Sequence, residues 1–205
     1  MMKFFKWKIF LITSAVCLLP ILMGLYFWGR LPEIIPIHFN IYGEPDNYAS
    51  KAFVVFGLPV LMMFFQLFCC ASVDYESSND VESEKFKTVT KWIIPCLTAV
   101  LYTITIGYAM GWEIDITRTV CIVIGILFIV LGYYLPKSTY VKNFNNLDIE
   151  KAKKINKFTG FGILVMGILF LIGTFFVPIG PIICLLLLIP YTIATVIYSI
   201  IVSKK

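Results

Sequence analysis

Six apolar stretches dominate the chain, at roughly 9–28, 52–73, 92–112, 118–135, 158–177 and 179–202. A bilayer core about 30 Å thick needs about 20 apolar residues of helix, so each stretch is long enough to cross one. Inside lipid, backbone N–H and C=O groups must be satisfied within the segment, which leaves helices as the solution for single runs of this kind. Of 205 residues, 60% are apolar and 14% charged, so little chain remains for a water-soluble domain. The expected fold class is an all-α integral membrane protein with six transmembrane helices. The first run follows Lys3, Lys6 and Lys8 and so resembles a signal peptide at its start. It is too long for that, and Leu25–Pro32 offers no small-x-small cleavage site, so it is read as a retained span.

Fourteen of the seventeen basic residues fall on one side of such a six-span arrangement. They are the three N-terminal lysines, Lys85, Lys87 and Lys91, six in 136–157, and Lys204 and Lys205. Only Arg30, Lys51 and Arg118 fall on the other. Positive residues favour the cytoplasmic side, so both termini are expected there and the loop between spans 1 and 2 outside. The net charge of +5 reflects this asymmetry and calls for no nucleic-acid partner. The lipid bilayer is the expected surrounding. The outer side carries Glu33, Glu44, Asp46, Glu113 and Asp115, a small acidic excess that favours a cationic ligand.

That outer loop, Leu31 to Lys51, reads LPEIIPIHFNIYGEPDNYASK and holds the chain's single histidine, His38. Pro32 and Pro36 disfavour helix for the residues before them. Ile35, Ile37, Phe39 and Ile41 then alternate with Pro36, His38, Asn40 and Tyr42, which is strand periodicity with one apolar face. Gly43-Glu44-Pro45-Asp46-Asn47 is expected to turn, with Pro45 inside the turn, and Ser50 to cap the next helix. His38, Asn40, Gly43, Glu44, Pro45, Asp46 and Lys51 are the candidate ligand-binding or loop-structuring residues. For His38, Asn40 and Asp46, hydrogen bonds that fix the loop on the spans are weighed above direct ligand contact. Glu113 or Asp115 is expected near Lys51 or Arg30.

The pattern LPxxIPxHFNxxGEPDxxxSK resembles the signature of a bacterial membrane domain of unknown function that commonly begins proteins of the Sdp immunity family. Those six-helix proteins protect a cell from a secreted peptide toxin, and some also signal its presence. The resemblance implies an N-terminal membrane domain over 1–112, with outer loop 29–51, and an immunity-like membrane domain over 113–205, together one packed unit in the bacterial cytoplasmic membrane. It also implies a secreted peptide toxin as outer partner and a cytoplasmic regulator as inner one. Gly132-Tyr-Tyr-Leu-Pro136-Lys137 is similar to the family's Asn-Tyr-Leu-Pro-Lys stretch closing span 4, with Tyr133 for the asparagine. The family's Arg-Thr-x-Trp motif is absent, and Asn156 stands about where a histidine is expected.

Catalysis is not expected. One histidine is thin for zinc, and no HExxH, Ser–His–Asp pattern or Gly-rich phosphate loop is present, so no metal or cofactor is expected. No Asp, Glu, Lys, Arg or His lies inside the six runs, Arg118 standing at the edge of the fourth, and Gln66 is the most polar side chain of the first three. That counts against ion-coupled transport. A small transporter or channel accessory subunit is the alternative, drawn from Pro20, Pro59, Pro95 and Pro190 within four spans. The six cysteines read as buried free thiols. Thr103/Gly107/Gly111, Gly125/Gly132 and Gly160/Gly167/Thr174 read as small-residue seams packing spans 3 to 5. In 74–91, Asp80 is expected to cap a short helix through Val81, Phe86 and Val89. Asp148 is expected to cap one leading through Lys151 to Lys157 into span 5.

Overall fold

The computed structural model describes residues 7–75, 81–139 and 147–204. Among the described residues, six helices are long and apolar enough to cross a membrane. In chain order the elements are α1 (Trp7–Val16), α2 (Pro20–Phe27), β1 (Ile34–Phe39), β2 (Pro45–Ser50), α3 (Leu58–Tyr75), α4 (Val81–Ala109), α5 (Ile116–Tyr134), α6 (Ile149–Gly173) and α7 (Ile179–Lys204). The first span is α1 and α2 together, interrupted at Leu18–Leu19 because Pro20, at the first position of α2, has no N–H to continue the ladder. Pro59 follows a π-helical turn at Phe53–Gly57, where the ladder has slipped one residue. Pro95 and Pro190 sit within continuous helices.

The segment 74–91 differs from its expectation as a loop with a short helix. From Val81 it is the first part of α4, which runs unbroken to Ala109. Asp80 lies outside the described residues. Asp148 does occupy the N-cap position of α6, with extended backbone, but its side chain makes no capping hydrogen bond and only its carbonyl accepts, from the Ala152 N–H.

The chain divides into two compact units. One comprises Met1–Asp74 and Lys91–Thr119, the other Tyr75–Thr90 and Val120–Lys205. In unit 1, Leu31, Ile35, Val54, Val55, Tyr102 and Ile106 form a buried core, with Phe27, Ile37 and Ala49 packed on it. The inner face of the hairpin β1–β2 is therefore seated on the helices.

Unit 2 is packed differently. A Cβ on Gly132 would lie 2.5 Å from the Leu164 nitrogen and 2.7 Å from the Gly160 oxygen, and one on Gly167 would lie 2.7 Å from the Gly125 oxygen. A Cβ on Gly160 would meet the Pro136 ring at 2.4 Å. These glycines bring α5 and α6 into backbone contact, as the seven-residue spacing predicted, and Gly132 and Pro136 of the Leu-Pro-Lys stretch are both part of it. Cys121, Met166, Phe170 and Cys184 fill the core beside them.

Span 3 departs from the expected small-residue seam. Gly107 is covered by Trp112 of its own chain turn, and Gly111 has nothing near it. Gly111 instead adopts φ +81° just past α4. The Trp112 N–H bonds to the Gly107 carbonyl at 2.9 Å and the Gly111 N–H to the Tyr108 carbonyl at 3.0 Å, the paired bonds of a Schellman stop. Glycine is needed there for its backbone, not for a neighbour.

The cysteines also depart in part. Cys17, Cys70, Cys121 and Cys184 are buried, as expected, but Cys69 is half-buried and Cys96 exposed.

Candidate functional site: the hairpin and the polar seam beneath it

The alternation read in the sequence is the first strand of an antiparallel hairpin. The second strand, β2, was not expected, because Pro45, Asp46 and Asn47 are poor strand formers. Pro45 opens β2 rather than sitting in the turn, a strand position where a missing N–H is tolerated. The turn lies earlier, at Asn40–Glu44. The Asn40 Oδ1 accepts from the N–H groups of Tyr42 at 2.9 Å and Glu44 at 3.0 Å, and its Nδ2 donates to Glu44 Oε2 at 3.0 Å. This is the self-bonding that makes asparagine a turn residue. Gly43 takes φ +80°, and a Cβ there would also lie 3.2 Å from the Thr117 hydroxyl.

Two register shifts interrupt the pairing between Pro36 and Phe39. Pro36 pairs with Tyr48, His38 with Asn47 and Phe39 with Pro45, so Ile37 and Asp46 each sit as an extra residue. Ile35 and Pro36 are both buried, and Ile41 is 48% exposed, so neither Pro36 nor Ile41 follows the face assigned from simple alternation. Phe39 keeps its place, meeting Tyr108 edge to face at 4.9 Å. Both strand edges are blunted against a further strand. Pro36 has no N–H to offer, and the Asn47 side chain accepts the Tyr48 N–H at 2.8 Å.

The bulges bring His38 and Asp46 together, Nδ1 to Oδ1 at 2.5 Å. Their side chains are 68% and 44% exposed, and an ion pair so open to water contributes about 0.2–1 kcal/mol at most. His38, Asn40, Glu44 and Asp46 therefore bond within the hairpin, whereas His38, Asn40 and Asp46 were expected to fix it on the spans. That task falls to the apolar face and to the Thr117 hydroxyl, which donates to the Ile41 carbonyl at 3.4 Å. Ser50 caps the helical turn that follows, its Oγ accepting from the Phe53 N–H at 3.4 Å.

Lys51 pairs with Glu33 at 2.6 Å rather than with Glu113 or Asp115. Its stem is buried, and its ammonium lies 5.0 Å from the Trp28 ring centroid. Asp115 instead accepts from the Arg118 N–H at 2.9 Å, an N-terminal cap for α5, and pairs with the Arg118 guanidinium at 3.5 Å. Among the described residues, no three His, Cys, Asp or Glu side chains converge to hold a metal ion.

With this geometry in view, comparison adds one match. A family model described as a domain of unknown function (DUF1648) matches residues 15–63. That stretch contains the interruption of span 1, the whole hairpin and the start of the second span, α3. No curated protein and no solved structure matches the chain.

A second set of polar residues in unit 1 was not legible as a set. Asp74 and Lys91 flank the apolar runs in the sequence, where they read as ordinary ends. Folded, they pair at 2.5 Å with side chains 8% and 2% exposed. The Gln66 amide, fully buried, donates to the Lys91 carbonyl and the Thr13 hydroxyl, each at 2.8 Å, and lies 3.1 Å from the Cys70 sulfur. The Cys17 thiol donates to the Thr13 carbonyl at 3.4 Å and neighbours the Thr98 hydroxyl. Tyr102, one turn further along α4, points its hydroxyl at Gly24, where a Cβ would lie 2.1 Å away. Gln66, Cys70 and Asp74 recur at intervals of four, which places them on one face of α3. The remaining signal, that Thr13, Lys91 and Thr98 meet that face, exists only in the tertiary arrangement.

In unit 2, Asn156 is also buried and structural. Its Nδ2 donates to the Ser138 carbonyl at 2.7 Å, tying α6 to the turn after α5.

Proposed function

We propose that this chain is a non-catalytic bacterial membrane immunity or sensor protein that takes a membrane-active peptide toxin, or another envelope component, on its hairpin. The observation that carries this reading is the form of the hairpin. An apolar-backed β-hairpin presents His38, Asp46 and Glu44 to solvent, flanked by exposed Tyr42 and Tyr48. Tyrosines give large contact area at low entropic cost, and the two carboxylates suit cationic side chains. The lysine distribution supports placing this face outside the cytoplasmic membrane, with both termini inside. The resemblance to the Sdp immunity family supplies the toxin class. A cytoplasmic regulator belongs to the same reading but has less support, since the Arg-Thr-x-Trp motif is absent.

The test is survival of a toxin-sensitive bacterium expressing the chain, challenged with peptide toxins encoded near its gene. Protection by the wild type that is lost in His38→Ala and Asp46→Ala, at equal membrane abundance, supports recognition by the hairpin. No protection against any toxin at good expression overturns the immunity reading.

The second reading, a small transporter or channel accessory subunit, is favoured by the buried polar seam in unit 1. The uninterrupted apolar runs had argued against any such stripe. Ion flux into vesicles that depends on this chain would support it.

A further inference from the structure

The seam of unit 1 carries more polar capacity than its own members use. Gln66 Oε1, Asp74 Oδ2 and the Tyr102 hydroxyl are each buried and make no hydrogen bond within the protein. The orientation of the Gln66 amide is dictated by its neighbours. The Thr13 hydroxyl already donates to the Ile9 carbonyl at 2.7 Å, and the Lys91 carbonyl can only accept, so the NH2 faces both and Oε1 is left over. Lys91 has three donors, and Asp74 Oδ1 accepts one of them. From Lys91 to Tyr102 the seam follows α4 for about 16 Å at 1.5 Å per residue, roughly half the hydrocarbon thickness.

Buried polar atoms that lack a protein partner are, in folded proteins, the usual partners of internal water. Here Gln66 and Asp74 lie on one face of α3 and are joined through Lys91, and Tyr102 lies on the side of α4 that also bears Lys91 and Thr98. We propose that unit 1 contains a water-binding crevice along this seam, entered from the Asp74–Lys91 end and closed towards Tyr102 by the apolar core under the hairpin. Its ligands are water and small polar molecules that donate hydrogen bonds, a primary alkylammonium among them, since two of the three unmatched atoms are acceptors and the third is a phenol. The crevice is separate from the hairpin surface and does not depend on the immunity reading.

Cysteines placed by the fold make this testable. Cys70 lies in the seam, whereas Cys121 and Cys184 lie in the apolar core of unit 2. Each is retained alone, the other five cysteines being replaced by alanine, in full-length protein in native membranes. The membranes are treated with a small charged methanethiosulfonate reagent from the side bearing the Asp74 end. Thiols react as thiolates and need water to ionise, so a hydrated Cys70 should react about tenfold or more faster than Cys121 and Cys184. Gln66→Leu, which removes the central amide, should slow Cys70 towards the two reference thiols. The slow rates of Cys121 and Cys184 in the same Gln66→Leu background verify that unit 2 is folded, and unchanged tryptophan fluorescence verifies unit 1, which holds all four tryptophans. Complete labelling of all three after denaturation verifies the reagent. A Cys70 rate no greater than those of Cys121 and Cys184 overturns the crevice. So does a fast rate that Gln66→Leu leaves unchanged, since the reagent would then reach the thiol by another way.

Discussion

The two units solve the same problem with opposite materials. Unit 1 packs bulky side chains, Ile35, Val54, Val55, Tyr102 and Ile106, beneath a hairpin, and threads a polar seam between its helices. Unit 2 removes side chains from the contact, so that the backbones of α5 and α6 meet through Gly125, Gly132, Gly160 and Gly167. In lipid no hydrophobic effect drives one apolar helix onto another, and close van der Waals approach takes its place. Unit 1 has something unit 2 lacks among the described residues, a sheet seated on its helices with one face against apolar residues. Where chain meets water, apolar burial again contributes. The contrast teaches that a hairpin surface must be anchored by side chains, whereas a lipid-embedded helix pair is held by their absence.

The largest expected effect tests the anchor. Ile35→Ala removes the fully buried residue that joins β1 to the helices and should destabilise unit 1 by about 2–5 kcal/mol. Denaturant titration in mild detergent, followed through Trp28 and Trp112, would read it. A loss below about 1 kcal/mol would mean the hairpin is held by something other than this core.

Next comes the backbone contact of unit 2. Gly132→Ala places a methyl group 2.5 Å from a backbone nitrogen that has no side-chain freedom to give way. A loss of about 1–3 kcal/mol is expected, against almost none for Gly29→Ala, where a Cβ meets nothing within 4 Å. Equal effects at the two glycines would erase the distinction between units.

Gly43→Ala probes the turn. The left-handed φ costs an L-residue about 1–2 kcal/mol, and contact with Thr117 adds to it. Protease sensitivity of the hairpin should rise while the helices stay protected.

The smallest stability effect belongs to the residues with the largest expected functional one. His38→Ala and Asp46→Ala should each change stability by less than about 1 kcal/mol, because the pair is open to solvent. Loss of toxin protection without loss of stability separates recognition from scaffolding. A large stability loss would make the pair part of the anchor instead.

Much of this architecture is written in local chemistry. Twenty-residue apolar runs compel spanning helices, since lipid offers their backbones no other partner. Alternation from Ile35 announced a strand, Ser50 a cap, and glycines seven apart a helix seam, each because the period of the element is carried by consecutive residues. The departures share a cause. The bulges at Ile37 and Asp46 bring His38 beside Asp46, and a bulge is a property of two strands in register, not of either alone. Gly107 and Gly111 have seam spacing but lie at a helix stop, which depends on where α4 ends. Asp74 and Lys91 read as separate flanks because they stand seventeen positions apart in the chain. Only the packing of α3 against α4 brings the charges together, and with them Gln66 and Thr13. Such a meeting follows from tertiary distance, for which no local periodicity leaves a trace.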